Sequence, residues 1–162
     1  MSRATQLRDA MITELASRLG DSVGSVKPFS LLVYDRSEFV EKPLVLVRVA
    51  GRELLATQGP DEQMVLIDVL IAAAIPDRTG TTETEWREEL VAHYDEFDGT
   101  FESLLDLWVP DGPLKTEGIA DFRFVSIEEV IGFEMDELYR DGVYLSWIQL
   151  KYQDNFDEDD RT

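Results

Sequence analysis

The chain has 162 residues, of which 44% are apolar, and 34 acidic against 15 basic residues give it a net charge of −19. This length and apolar content fit one domain with one hydrophobic core, and the charge argues against a direct reader of DNA or RNA because it repels phosphates. The absence of cysteine excludes disulfides, cysteine-based zinc sites and thiol nucleophiles.

The N-terminal segment predicts a helix. Its apolar residues recur every four positions, at Leu7, Met11, Leu15 and Leu19. Such a spacing places them on one helix face, and Gly20 is well placed to end the helix. Residues 21–42 are expected to be irregular, with a short strand at 29–34.

From residue 43 onward the apolar residues follow a period of two, which is typical of strands. Segments 44–50 and 52–57 flank Gly51 and predict a hairpin with a tight turn. Residues 64–75 predict a long strand that is apolar on both faces except at Asp68, and such a strand is covered on both faces. In a domain of this size, we expect the second cover to come from a neighbouring subunit.

Residues 86–108 carry the clearest helical pattern of the chain. Its large apolar residues are spaced by three or four: Trp86, Leu90, Tyr94, Phe97, Phe101, Leu104 and Trp108. This stripe favours a core-facing helix. Gly99 lies off the stripe, so we expect the helix to bend or restart there rather than stop. The opposite face is acidic, because nine acidic residues and one basic residue lie between Glu83 and Trp108.

The C-terminal part predicts a connector at 110–118, a strand at 122–127 that resumes at 130–133, a turn or short helical segment at 136–142 and a closing strand at 143–152. We therefore expect one α+β domain over residues 1–152. It contains a mostly antiparallel sheet, an N-terminal helix and a long amphipathic helix packed on one face of the sheet. Residues 153–162 are acidic and are expected to form a disordered tail.

Catalytic groups are scarce in this sequence. The only histidine, His93, lies in the acidic helix and is interpreted as a solvated or flanking residue, and neither a Gly-x-Ser-x-Gly elbow nor a Walker A motif is present. Residues 94–99 resemble part of a calcium loop, but a glycine at the sixth position would put Tyr94 where the first ligand belongs. We therefore predict no enzyme, no cofactor and no metal site.

The apolar strands exceed what one layer of helices covers, which favours contacts between subunits. The predicted oligomer interface consists of Leu66, Asp68, Leu70, Tyr144, Trp147 and Tyr152.

The order of these elements resembles the tail terminator and tail-completion (neck) proteins of long-tailed bacteriophages and prophages. The resemblance covers roughly residues 40–152 and includes the strand 65–71 (VLIDVLI), the acidic helix and the closing segment 142–152 (GVYLSWIQLKY). It implies a homo-oligomeric ring, often of six subunits, that caps the finished tail tube, joins it to the head connector and becomes part of the virion. Acidic walls of such a ring would repel the DNA that slides through its lumen.

Two alternatives remain. An inhibitor that mimics DNA would use the acidic helix, and a metal-dependent hydrolase is favoured only by the number of carboxylates. The first six residues lead directly into an amphipathic pattern, and the longest apolar run, 69–75, is far below the roughly 20 residues of a membrane span. We therefore expect a protein made in the cytoplasm, without a signal peptide or membrane segment.

Overall fold

The computed structural model describes residues 2–29, 42–54, 63–75, 80, 82–131 and 143–154. The elements are α1 (Arg3–Leu19), a 3-10 turn (Gly20–Ser22), β1 (Ser25–Pro28), β2 (Leu44–Leu54), β3 (Gln63–Ala74), α2 (Glu83–Leu105), α3 (Pro113–Thr116), β4 (Phe122–Ile131) and β5 (Val143–Asp154). The strands form one sheet in the order β1-β2-β3-β5-β4, in which β1 and β2 are parallel and all other pairs are antiparallel. The predicted α+β class is confirmed.

Helix α1 begins and ends at the residues that its sequence favours. The Ser2 hydroxyl accepts a hydrogen bond from the Thr5 backbone N–H (3.1 Å), and Gly20 ends the helix with a φ of 52°. Glycine adopts this φ without the steric penalty of a Cβ. The helix buries its apolar residues against the sheet: Ala4, Leu7, Met11, Leu15 and Leu19.

The predicted hairpin around Gly51 is wrong. β2 runs through this position as one strand, pairs with β3 along its length and changes register between Val49 and Gly51. A two-residue hairpin needs a positive φ, which among the described glycines occurs only at Gly20 and Gly80. The glycine therefore accommodates a bulge in a strand whose antiparallel partner is β3.

β3 is the central strand, and both of its faces are buried, as predicted. Its odd-numbered residues join the core formed with α1 and the second half of α2, whereas Leu70 and Ala72 belong to a separate apolar cluster on the opposite face. Leu70 is only 1% exposed in the single chain. The expected cover by a neighbouring subunit is therefore not needed to bury Leu70 or Ala72.

α2 is continuous through Gly99, so the predicted bend or restart there does not interrupt the helix. A capping box between Thr82 and Glu85 fixes its start. Within the helix, the fully buried residues are Phe97, Phe101 and Leu104. Trp86, Leu90 and Tyr94, predicted as part of the same buried stripe, are only half-buried, and Leu90 and Tyr94 pack against the margin of the core. Trp108 follows the helix in a turn and is fully buried.

Several other predicted boundaries shift. A strand forms at β1, before the predicted segment 29–34, of which residues 30–34 lie outside the described residues. β4 has no break between 127 and 130, and β5 continues to Asp154, two residues beyond the predicted domain end. The predicted segment 136–142 and the tail residues 155–162 lie outside the described residues.

Candidate assembly surface

The sheet has two unlike faces. The three α-helices of the described ranges bury residues in the core on one face. The opposite face, which we call the outer face, carries a second apolar cluster: Leu44, Leu46, Leu70 and Ala72, with partly buried Phe29, Ala74, Leu145 and Trp147. Leu145 and Trp147 retain accessible apolar surface, so this cluster is one candidate for contact with another chain.

A polar row crosses the outer face beside this cluster. The register places Arg48 opposite Asp68, Asp68 opposite Gln149 and Gln149 opposite Glu129. Arg48 Nε donates to Asp68 Oδ2 (2.9 Å), and Gln149 Nε2 donates to Asp68 Oδ1 (3.0 Å). Both carboxylate oxygens of this nearly buried aspartate are hydrogen-bonded. Asp68 therefore fixes the register of β2, β3 and β5.

Charges of both signs lie beyond this row. Lys151 Nζ lies between carboxylate oxygens of Glu53 (3.7 Å) and Glu128 (3.4 Å). The Ser126 hydroxyl donates to Glu128 (2.7 Å), and this hydrogen bond, followed by the charge of Lys151, lowers the pKa of Glu128. The polar half of the outer face thus carries a mixture of charges, in contrast to the strongly acidic chain as a whole.

β4 forms an edge of the sheet. Within the described part of the chain, it pairs with β5 alone. Its register shifts on either side of the pair Ser126–Ile127, which leaves Val125 and Glu128 as bulge residues. Val125 and Val130 are 40% and 48% exposed, and they are two of the four exposed large apolar residues of the described chain. An edge strand with accessible backbone and apolar side chains is a template for pairing, which the bulges restrict to compatible partners.

The N-terminal half of α2 presents a second kind of surface. Its acidic residues Glu83, Glu85, Glu88 and Glu89 are all exposed, and Val91 beside them is 62% exposed. Like charges this close together repel any second copy of the same helix face. This surface therefore suits a basic partner or solvent rather than the same face of another copy.

His93 lies on the wall of a small cavity between α2 and the start of β2. The cavity has a volume of about 220 Å³ and is lined by Asp21, Ser22, Lys42, Pro43, Ala73, His93, Glu96, Phe97 and Thr100. His93 is half-buried, so of its two predicted roles, a solvated or a flanking residue, the structure fits the flanking one. The Ser22 hydroxyl donates to the Leu19 carbonyl and the Thr100 hydroxyl donates to the Glu96 carbonyl (3.1 Å). Both hydroxyls thus bond to their own helical backbone, which is not the arrangement of an activated nucleophile.

The described ranges contain no group of three His, Asp or Glu side chains arranged to hold a metal ion. The carboxylates of these ranges lie mainly along helix and strand surfaces and do not converge around one point.

The predicted interface residues fall on both sides of the sheet. Leu66, Asp68, Leu70 and Trp147 alternate onto the outer face, where Leu66 and Trp147 are half-buried. Asp68 and Leu70 are already buried in one chain. Leu66 and Trp147 therefore retain the accessible surface within this group, and their role in an oligomer stays a prediction.

Tyr152, also predicted in the oligomer interface, lies on the opposite face of the sheet. It is fully buried in the core, where its hydroxyl accepts a hydrogen bond from Trp108 Nε1 (2.8 Å). Its parity in β5 differs from that of Trp147, and this parity directs it toward the helices. The Tyr144 backbone pairs with Ala73, and its side chain lies outside the described residues.

Sequence reasoning did not identify the β4 edge. Its exposed residues are Arg123, Val125, Glu128, Glu129 and Val130. Their exposure depends on strand order, which no local pattern fixes. The adjacent glutamates were the one local indication, because paired charges within an otherwise apolar strand are typical of a sheet edge.

No protein-family model matches this chain, and no curated protein matches it. Among solved structures, it is similar to the sheath/tube terminator of an extracellular contractile injection system, PVC, in the extended state, with a TM-score of 0.33 and 8% sequence identity. The similarity covers 98% of this chain and 59% of that chain. A likeness this distant establishes neither a common fold nor a common function. None of the helices in the described ranges has the length and apolar character needed to span a membrane.

Proposed function

We propose that this protein is a structural assembly component of a phage-like particle. Copies of the chain form a ring that ends the tail tube and joins it to the head connector. In this role the protein is made in the cytoplasm, becomes part of the tail or neck and carries out no chemical reaction.

The observation that carries this proposal is the ten-residue edge strand β4, with its exposed Val125 and Val130. Edge strands of this length are normally shortened, covered or paired, because they attract other strands. The half-buried Leu66 of β3 and Trp147 of β5 supply further apolar surface on the outer face. These surfaces support binding to other protein chains.

The chemistry of the chain supports a structural role as well. It has one histidine and no cysteine in its full sequence. Within the part of the chain that the structure describes, the carboxylates are dispersed, and the hydroxyls beside His93 bond to backbone carbonyls. A ring with α2 facing its lumen would place acidic side chains where DNA passes, and their charge would keep the phosphates from adhering.

Purified full-length protein tests this proposal by negative-stain electron microscopy and by sedimentation velocity over a range of concentrations. We expect rings with a central hole. Trp147→Ala should reduce their number while leaving the circular dichroism spectrum unchanged, because it removes accessible apolar surface from the outer face. Val91→Ala, an apolar truncation on the exposed part of α2, is the matched control and should not affect the rings. A protein that stays smaller than a ring at every concentration contradicts the proposal.

A second candidate function is favoured by the charge of α2, which suits a mimic of DNA. The helix contains eight acidic residues and one basic residue over 23 residues. At a rise of about 1.5 Å per residue this is roughly one net negative charge per 5 Å. Duplex DNA carries one per about 1.7 Å, so α2 has about a third of its charge density. This comparison makes the mimic the weaker candidate.

The mimic is tested by asking whether the protein displaces a labelled DNA duplex from a basic DNA-binding protein. Displacement that weakens steeply with salt, and is lost when Glu85, Glu88 and Glu89 become glutamine, would support it. Unchanged DNA binding at low salt would remove this candidate.

A further inference from the structure

Two of the three charged residues of β4, Arg123 and Glu129, are placed symmetrically about Ser126, and the third, Glu128, is held by Ser126 and Lys151 of its own chain. The register with β5 places Arg123 opposite Gln153, Ser126 opposite Lys151 and Glu129 opposite Gln149. The β5 partners of Arg123 and Glu129 each lie two residues from Lys151, the partner of Ser126, in opposite directions. Arg123, Ser126 and Glu129 therefore all lie on the outer face. Arg123 and Glu129 are both exposed. One end of the strand thus carries a positive charge and the other end a negative charge at the same distance from its centre.

This arrangement is self-complementary. A two-fold axis perpendicular to the sheet, lying just outside β4 and level with Ser126, brings a second β4 alongside the first in the antiparallel direction and keeps the two outer faces on the same side. Arg123 of each copy then lies across from Glu129 of the other, so two opposite-charge pairs form. Opposite charges directly across two strands stabilise their pairing, and like charges oppose it.

The same operation also matches the residues on the core side of β4. Phe122 lies opposite Asp154 of β5, and Val130 lies opposite Ile148. Both of these partners are three residues from Lys151, the partner of Ser126, on either side. The two-fold axis therefore places Val130, which is 48% exposed in one chain, across from Phe122 of the second copy. Apolar surface that one chain leaves in water would be covered in the pair.

We propose that the β4 edge binds the β4 edge of a second copy of this chain, in antiparallel orientation about a two-fold axis level with Ser126. The contact is narrow, and each chain carries a charge of −19, so the dimer is expected to be weak and concentration-dependent. A two-fold contact cannot repeat around a ring whose copies all point in one direction. The pair therefore belongs to the unassembled protein, and the inference does not rest on the proposed ring.

Charge reversals at the two positions test this contact by sedimentation equilibrium of the full chain at physiological salt. Arg123→Glu and Glu129→Arg each replace both opposite-charge pairs by like-charge pairs, and each should weaken the dimer by roughly tenfold, equivalent to about 1.4 kcal/mol. The double variant R123E/E129R restores opposite charges across the axis and should recover dimerisation.

Net charge alone predicts a different pattern. Glu129→Arg makes the chain less negative, so it would strengthen association if general repulsion were decisive, whereas Arg123→Glu would weaken it. Arg87→Glu and Glu102→Arg change the charge of α2 by the same amounts and serve as matched controls, which should leave the dimer unchanged.

Circular dichroism establishes that each variant is folded. Rescue by the double variant together with weakening by both single variants supports the contact. A wild-type protein that stays monomeric throughout, or single variants that dimerise as well as the wild type, overturns it. Rings seen by microscopy with no β4-dependent dimer would leave the proposed function standing without this contact.

Discussion

The buried hydrogen bond between Trp108 and Tyr152 offers a sharp test of the core. Trp108 Nε1 donates to the Tyr152 hydroxyl at 2.8 Å, and both residues are completely buried. The bond connects the turn after α2 to the C-terminal end of β5, and the Tyr152 ring also contacts Phe124 edge-on with centroids 5.6 Å apart. Each polar group therefore depends on the other, since water cannot replace either partner.

The expected energies follow from that burial. Tyr152→Phe leaves the indole N–H of Trp108 without this acceptor, which should lower the free energy of unfolding by about 1–3 kcal/mol. Trp108→Phe leaves the tyrosine hydroxyl without its donor at a similar cost. It also creates a cavity of about 40 Å³, which at about 24 cal/mol per Å³ adds about 1 kcal/mol. In the double variant neither polar group remains, so it should cost about 1–3 kcal/mol less than the sum of the single variants.

Urea unfolding followed by circular dichroism measures these differences without relying on tryptophan fluorescence. A control cycle combines Tyr152→Phe with Trp147→Phe, since these residues lie five positions apart on opposite faces of β5, and it should be additive within about 0.5 kcal/mol. If the cycle between Trp108 and Tyr152 is equally additive, the hydrogen bond contributes nothing specific and our account of this part of the core is wrong.

Three further predictions concern the same fold. Burial raises the pKa of Tyr152, so above pH ~10 the folded chain retains a proton that the unfolded chain loses. The free energy of unfolding should therefore fall by up to about 1.4 kcal/mol per pH unit in this range. Tyr152→Phe should reduce this slope in urea unfolding measured at alkaline pH. Gly112→Ala should strongly destabilise the protein because a Cβ would collide with the backbone before α3. Gly99→Ala has open space in mid-helix, so it should raise the free energy of unfolding by about 0.5–1 kcal/mol and with it the thermal midpoint; equal midpoints for the two variants would contradict this. Asp154→Ala removes the fully buried carboxylate that pairs with Arg3 Nη2 (3.0 Å), so it should lower the free energy of unfolding in urea by about 3 kcal/mol. A loss below about 1 kcal/mol would show that this ion pair does not stabilise the fold.

The elements that the sequence predicted well are those whose pattern is local and long. α1, β3 and β5 were identified because their apolar period extends over ten residues or more, and the end of α1 at Gly20 follows from a single residue. The hairpin at Gly51 failed because a glycine favours both a tight turn and a bulge, and the partner strand decides between them.

The candidate surface was less predictable for a related reason. An alternating strand has two apolar faces in the sequence, but only the packed structure shows which face the helices cover. Tyr152 and Trp147 are both large aromatic residues, so residue type alone predicts the same environment for them. Their positions in β5 differ in parity, which puts Tyr152 in the core and Trp147 on the outer face. The edge position of β4 depends on the strand order β3-β5-β4, in which β5 lies between strands that precede it in the chain. That order is set by long-range pairing and by no local motif.

The distribution of charge constrains how copies of this chain can meet. In the first half of α2, four of the five exposed charged residues are acidic, whereas the polar half of the outer face pairs Lys151 with two glutamates and Arg48 with Asp68. Two α2 surfaces brought together would place like charges in contact, and at physiological salt a screening length of about 8 Å does not remove that repulsion at contact distance. Contacts between copies are therefore expected to form through the sheet and its β4 edge, with α2 turned toward solvent or toward a lumen. In either position the acidic helix limits unwanted association while the sheet provides the specific contact.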